Sequence, residues 1–110
     1  TPQAVELLFD MRFLPNPYFE EELRDLTGRE KVVSDHVLES ARGREFLGRL
    51  KEFIAYMLPL YDGEGKAYVT IGIGCTGGRH RSVAITEAIA AWLSEMGREV
   101  GVVHRDVERV

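Results

Sequence analysis

Hydrophobic and polar positions along the chain change period several times, and each change marks an element. Val5–Phe9 (Val-Glu-Leu-Leu-Phe) is a short, largely apolar run that reads as a strand. After Asp10-Met11-Arg12-Phe13, the run Leu14-Pro15-Asn16-Pro17-Tyr18 must be extended or turned. Two prolines so close remove donors and push the residues before them out of the helical region. Residues 19–27 are short and acidic, and Gly28 ends them. Val32, Val33, His36 and Val37 then fall at helical spacing. A stronger stripe follows Gly43: Phe46, Leu47, Leu50, Phe53, Ile54, Met57, Leu58 and Tyr61 recur every three or four residues. Pro59 is expected to end or kink that helix, and Asp62-Gly63-Glu64-Gly65 to form a turn.

The clearest strand is Ala67–Ile73, β-branched, aromatic and nearly continuous in apolar character, as a buried parallel strand should be. Gly74–Arg81 reads as a loop and Ser82 as the N-cap of the next helix. Ile85, Ala88, Ile89, Trp92, Leu93 and Met96 form that helix's apolar stripe, with Gly97 at its C′ position. Glu99–His104 is expected to be a last strand. Strand, helix, strand, helix, strand is an α/β pattern, and the fold class is α/β with a small, mostly parallel sheet flanked by helices. Each crossover is long enough to return the chain in parallel, so all strands end at one edge.

Ligands of open α/β sheets bind at that carboxyl edge. The residues delivered there are Asp10 and Arg12, then Gly74–Arg81, then His104 and Arg105. Taken singly, arginines after strands are ordinary solvated loop residues. As a set, Arg12, Arg79, His80, Arg81, His104 and Arg105 around a Gly-rich loop point to an anion site.

Composition narrows the classes. The chain has 110 residues, 45% hydrophobic and 29% charged, which fits one globular domain over residues 1–110 rather than disorder. A single cysteine cannot close an internal disulfide, which points to a reducing compartment. No run approaches a membrane span, and the N-terminus has no leader pattern, so a cytoplasmic protein is expected. A formal net charge of −4 argues against a globally basic nucleic-acid binder. Cysteines and histidines show no metal-ligand spacing, so no metal and no cofactor are expected.

The chemistry concentrates in Gly74-Cys75-Thr76-Gly77-Gly78-Arg79-His80-Arg81-Ser82, between a strand and a helix start. Loop and first-turn amides can point at one oxyanion, aided by the helix dipole. Thr76 and Ser82 add hydroxyl donors, and Arg79 and Arg81 add charge-assisted ones. A phosphate is the natural guest. Gly65-Lys66 lacks the rest of a Walker A loop, and Gly72, Gly74 and Gly77 match a dinucleotide fingerprint only as letters. A sharper rival is C-x-x-G-x-x-R-[ST], matched by Cys75, Gly78, Arg81 and Ser82: the signature of cysteine-dependent phosphatases. In that alternative Cys75 attacks phosphorus, Arg81 holds its oxygens and Asp10 is the general acid. Gly74 stands where many such enzymes have His. The plainer reading makes Cys75 a packing residue under the loop, and His104 a strand-end packing residue.

At this loop the chain resembles a known family. The blocks Phe9-Asp10-Met11-Arg12-Phe13-Leu14-Pro15-Asn16-Pro17-Tyr18, Leu26-Thr27-Gly28, residues 68–83 and His104-Arg105-Asp106 are similar, in order, to the C-terminal domain of the RapZ/YvcJ family. The resemblance covers the chain almost end to end. It implies a regulatory domain resembling a phosphofructokinase subdomain, not an enzyme. It implies sensing of a phosphorylated amino sugar or a UDP-linked amino sugar, homo-oligomers, and presentation of small RNA to an RNase. Family members also carry an N-terminal P-loop nucleotide-binding domain. Ligand-binding residues carry over at Thr76, Gly77, Gly78, His80, Arg81 and Ser82, while Arg79 stands at a variable family position. Tyr18 stands where RapZ has a pocket histidine, and a phenol can hydrogen-bond a sugar or phosphate but cannot become cationic. The ending Asp106-Val107-Glu108-Arg109-Val110 lacks the basic tail of RapZ, so RNA binding is expected to be weak and strongly salt-dependent.

Overall fold

A computed structural model describes residues 6–65, 68–74 and 80–104. Two short strands, β1 (Leu7–Asp10) and β2 (Ile71–Gly74), pair in parallel. Leu7 stands opposite Ile71 and Asp10 opposite Gly74, so the two strands end level. Between them come a 3₁₀ turn at Pro17–Phe19, helix α1 (Lys31–Leu38) and helix α2 (Ala41–Gly63); helix α3 (Arg81–Glu95) follows β2. This is the α/β class read from the sequence, a small parallel sheet flanked by helices. Alternation sets the sheet's faces. Leu7, Phe9, Ile71 and Ile73 pack on the helical core, while Leu8, opposite Gly72, is 74% exposed.

The core is the meeting of the α2 and α3 stripes with Met11 and Leu14. Leu50, Ile54 and Leu58 of α2 join Ala84, Ile85, Ile89 and Leu93 of α3, and Val37 of α1 closes the cluster. Phe53 lies beside it, edge-on to Phe9 at 6.2 Å between ring centres. The joint between α1 and α2 is tight. Ser40 caps α2 by accepting from Gly43 N–H at 2.9 Å and donates to the Val37 carbonyl at 3.0 Å. A Cβ on Gly43 would strike that same carbonyl, which fixes glycine there.

Several boundaries differ from the expectations, each for a physical reason. Pro59 neither ends nor interrupts α2, which continues to Gly63. It sits on the exposed side, where water can take the carbonyl that its missing N–H leaves unpaired. Asp62 and Gly63 are therefore helical, and the turn is Glu64-Gly65, with Gly65 at φ +75°. Ser82 is not the N-cap of α3: the helix begins at Arg81, two residues earlier than a Ser82 cap would place it, and His80 holds the cap position without a side-chain bond. β2 is four residues long; residues 68–70 precede it, with the Thr70 carbonyl accepting from Glu6 N–H at 3.0 Å; Ala67, like Val5, lies outside the described residues. Glu99–His104 forms no strand: among the described residues β2 ladders with β1 alone.

The end of α3 follows its reading. Gly97, at φ +88°, donates its N–H to Ser94 O, and Arg98 N–H reaches Leu93 O, both at 3.0 Å. These two bonds make a Schellman turn. Arg98 then grips Asp62 at the end of α2 with two bonds of 3.2 and 2.8 Å. That grip holds the Asp62 carboxyl below its ordinary value and raises Arg98.

The segment between the 3₁₀ turn and α1 is irregular, yet Gly28 presses it directly on α3. A Cβ there would strike the His80 carbonyl and come within 2.5 Å of Ala84 N. Gly28→Ala is therefore expected to destabilise by about 1–3 kcal/mol, as overpacking does. Gly48, with open space around it in α2, is the control: Gly48→Ala should stabilise by about 0.5–1 kcal/mol. Urea unfolding of both variants checks the contrast, and equal effects would contradict it. The Asp62 pair predicts a pH signature. A depressed folded value stabilises above the ordinary 3.8 and loses that contribution as pH falls through the folded value. Wild type should therefore melt above Asp62→Asn at neutral pH and converge with it in acid.

Candidate anion-binding site

The first turn of α3 is embedded on all sides: Arg81, Ser82, Val83, Ala84 and Ile85 are consecutive buried residues. Arg81 is only 4% exposed, although it opens a helix whose dipole repels a cation there. Backbone carbonyls compensate it. Its Nη1 donates to Arg12 O at 2.6 Å and Leu14 O at 3.3 Å, 69 and 67 residues away in the chain. Its Nε is buried without a partner among the described residues.

Beside it, at the end of β1, Asp10 accepts from the Arg12 backbone N–H at 3.0 Å and from Nε at 2.8 Å, with Nη2 at 2.6 Å. These bonds to Arg12, with a smaller contribution from the charge of Arg81, hold the Asp10 carboxyl below the ordinary carboxylate range. The β1 end is level with Gly74, whose carbonyl accepts from Met11 N–H at 2.7 Å. Asp10, Arg12 and Arg81 therefore meet at the carboxyl edge of the sheet, where the sequence delivers Gly74 and the loop after it.

His80 is buried, and its Nε2 lies 3.1 Å from the Arg24 carbonyl, a geometry in which the ring nitrogen donates. Arg24 also reaches Tyr18: its Nε donates to Tyr18 O at 2.8 Å, and its guanidinium stands 4.9 Å over the Tyr18 ring. Tyr18, half exposed, is thus linked to the helix start through Arg24 and His80. Ser82 is buried in the second position of α3. His104 lies elsewhere, 2.6 Å from Glu87 Oε2 on the flank of α3. Glu87 is six residues beyond Arg81, about 9 Å along the axis, so His104 does not join the cluster. Cys75, Thr76, Gly77, Gly78, Arg79 and Arg105 lie outside the described residues.

Two residues that hold this site were missed in the sequence: Arg24 and Gly28. Arg24 is the lone base in Glu20-Glu21-Glu22-Leu23-Arg24-Asp25, a cue that it faces something other than solvent acids. Gly28 reads as a terminator, and nothing local announces the helix pressed against it.

Fold and site define a small α/β domain whose carboxyl sheet edge meets the embedded start of a helix. The chain belongs to the RapZ C-terminal domain family, whose family model matches residues 1–108. A nucleotide-binding protein of Desulforapulum autotrophicum is 53% identical over 108 residues, 98% of this chain and 37% of that protein. Similar proteins, also named nucleotide-binding proteins, occur in Lawsonia intracellularis (51% identity, 97% of this chain, 33% of that protein) and Sorangium cellulosum (48%, 99% and 31%). The chain spans about a third of the length of these curated relatives. Among the described residues, no helix is long and apolar enough to cross a membrane.

Arg81 and Arg12 are expected to separate cleanly on mutation. Arg81→Ala removes two charge-assisted bonds and leaves two carbonyls uncompensated, a loss on the order of 3 kcal/mol in denaturant unfolding. Arg12→Ala breaks an exposed, solvent-screened pair and should leave the unfolding midpoint almost unchanged. Similar losses for the two would show that the buried clamp carries no special weight.

Proposed function

We propose that this domain binds the phosphate of a phosphorylated amino sugar, or of a nucleotide-linked amino sugar, over the start of α3. The observation that carries the reading is the Arg81 guanidinium, buried at a helix start with Nε still unpaired among the described residues. A buried donor of this kind is normally satisfied, and a phosphate oxygen satisfies it with a charge-assisted bond. The helix start supports the same guest: no side chain of His80 caps it and no acidic residue occupies its first turn. Thr76, Gly77, Gly78, Arg79, His80, Arg81 and Ser82 form the contact in this proposal. Arg12 stands beside it through Asp10, and Tyr18 is tied to it through Arg24. Family membership supports a regulatory binding role, and the relatives' name, nucleotide-binding protein, is compatible with a nucleotide-linked sugar.

The phosphatase alternative needs a proton on Asp10 to give to a leaving oxygen. Asp10 is instead held ionised by Arg12, which supports binding without turnover. RNA as a second ligand finds less support. Arg12, Lys31, Arg44, Arg49 and Arg98 each sit in an ion pair, and the net charge is −4. Phosphate backbones need cations that are available for release of counterions.

Calorimetric titration with glucosamine phosphates, UDP-linked amino sugars and inorganic phosphate tests the proposal. A phosphorylated sugar should bind, and Thr76→Ala should weaken it by about tenfold, the worth of one hydrogen bond to a charged oxygen. Cys75→Ser should bind as wild type, and no aryl phosphate should be hydrolysed. Absence of heat with every phosphate compound would refute the site, and turnover lost in Cys75→Ser would promote the enzyme.

A further inference from the structure

The chain between the sheet and α1 carries a short exposed rise. Pro17 and Leu23 are buried and fix its two ends, while every residue between them, Tyr18-Phe19-Glu20-Glu21-Glu22, is exposed. Its backbone is tied down along its length. Phe19 N–H donates to Asn16 O at 3.2 Å, Glu20 N–H to Pro17 O at 2.9 Å, and Leu23 N–H to Glu20 O at 2.9 Å. The Asn16 side chain accepts from Tyr18 N–H at 3.1 Å. With these bonds, and with Pro15 and Pro17 restricting the backbone, the rise is preorganised: it presents its side chains from one fixed backbone.

What it presents is not what a surface that meets only water requires. Phe19 is 74% exposed and Tyr18 52%, and the two rings meet edge to face with centres 5.9 Å apart. Adjacent exposed aromatics are characteristic of contact surfaces. The charge beside them selects the guest. Glu20, Glu21 and Glu22 follow the rings directly, and none of them is in an ion pair among the described residues. Elsewhere Asp35, Glu39, Glu45 and Asp62 each hold a lysine or an arginine. The rise also shows the contact that a cation makes with it: the Arg24 guanidinium stands 4.9 Å from the Tyr18 ring centre. The negative face of an aromatic ring attracts such a cation.

We propose that residues 18–22 are a docking surface for a cationic segment of a partner protein, an arginine-bearing peptide. One guanidinium of the partner lies on the exposed Phe19 ring, as Arg24 already lies on Tyr18, and its neighbouring basic residues meet Glu20, Glu21 and Glu22. Arginine fits better than lysine, because its planar, weakly hydrated head stacks on a ring where an ammonium keeps its water. Nucleic acid does not fit, since three adjacent carboxylates repel a phosphate backbone. The net charge of −4 draws the same partner from a distance. Phe19 and the three glutamates take no part in the proposed phosphate contact, so the docking surface does not rest on that reading.

Fluorescence anisotropy with the full chain and a labelled peptide of alternating arginine and glycine tests it, at about 0.1 M salt, where distant charges are screened. The arginine peptide should bind, its lysine counterpart more weakly, and a glutamate counterpart not at all. Phe19→Ser should weaken the arginine peptide about threefold to fivefold and bring it level with the lysine peptide. Glu20→Gln, Glu21→Gln and Glu22→Gln together should weaken it about tenfold. Glu52→Gln, Glu64→Gln and Glu95→Gln together remove the same charge from other exposed positions and should change it by less than about twofold. All the substituted side chains are exposed, so each variant should melt with wild type, and a lost affinity is then not a lost fold. Absence of binding by the arginine peptide, equal weakening by the two triple variants, or undiminished binding by Phe19→Ser would overturn the docking surface. Tighter binding of a single-stranded RNA, lost in Phe19→Ser, would overturn it too, as would self-association of the chain that Phe19→Ser abolishes.

Discussion

The buried guanidinium of Arg81 organises this domain. Arg81 sits at the first position of a helix, where the macrodipole opposes it, and inside the protein, where desolvation opposes it. Its stability there requires acceptors, and they come from the backbone of residues 12 and 14. Those carbonyls are available only if the chain leaves β1 in a turn that faces α3. The turn brings Met11 and Leu14 into the core beneath it. Sheet edge, turn and helix start are thus solved together, and the polar site is the outer side of that solution.

Much of the fold was legible because it rests on local periodicity. The α2 stripe from Phe46 to Tyr61 needs only the spacing of its residues, and the Schellman turn needs only Gly97 at the right distance from Leu93. Boundaries were less legible where tertiary context decided them. Pro59 is tolerated because its side of α2 faces water, which no local rule records. His80 takes the cap position from Ser82 because the helix start is clamped by Arg24 and Gly28, both far away in sequence. The 99–104 run has strand composition, yet pairing is a property of two segments, and no described segment ladders with it.

The site shows the same division. Its location at the carboxyl edge follows from parallel topology, and Asp10, Arg12 and Arg81 do converge there. Their roles did not follow. Counting arginines treats each as a free donor, whereas Arg12 is occupied by Asp10 and Nη1 of Arg81 by two carbonyls. What distinguishes Arg81 is its Nε, and that is a statement about burial rather than composition.

The close approach at Gly28 bears on how this domain opens. Residues 11–30 contain little regular structure beyond one 3₁₀ turn, and such stretches usually belong to the part of a protein that unfolds locally at little cost. Here the stretch is attached to the start of α3 at three separate points: the Arg81 bonds to residues 12 and 14, the His80–Arg24 bond, and the backbone contact of Gly28. It cannot peel away by itself. Local opening of twenty irregular residues and fraying of the α3 start are therefore one cooperative event, so any ligand that holds the helix start also raises the opening free energy of the whole stretch.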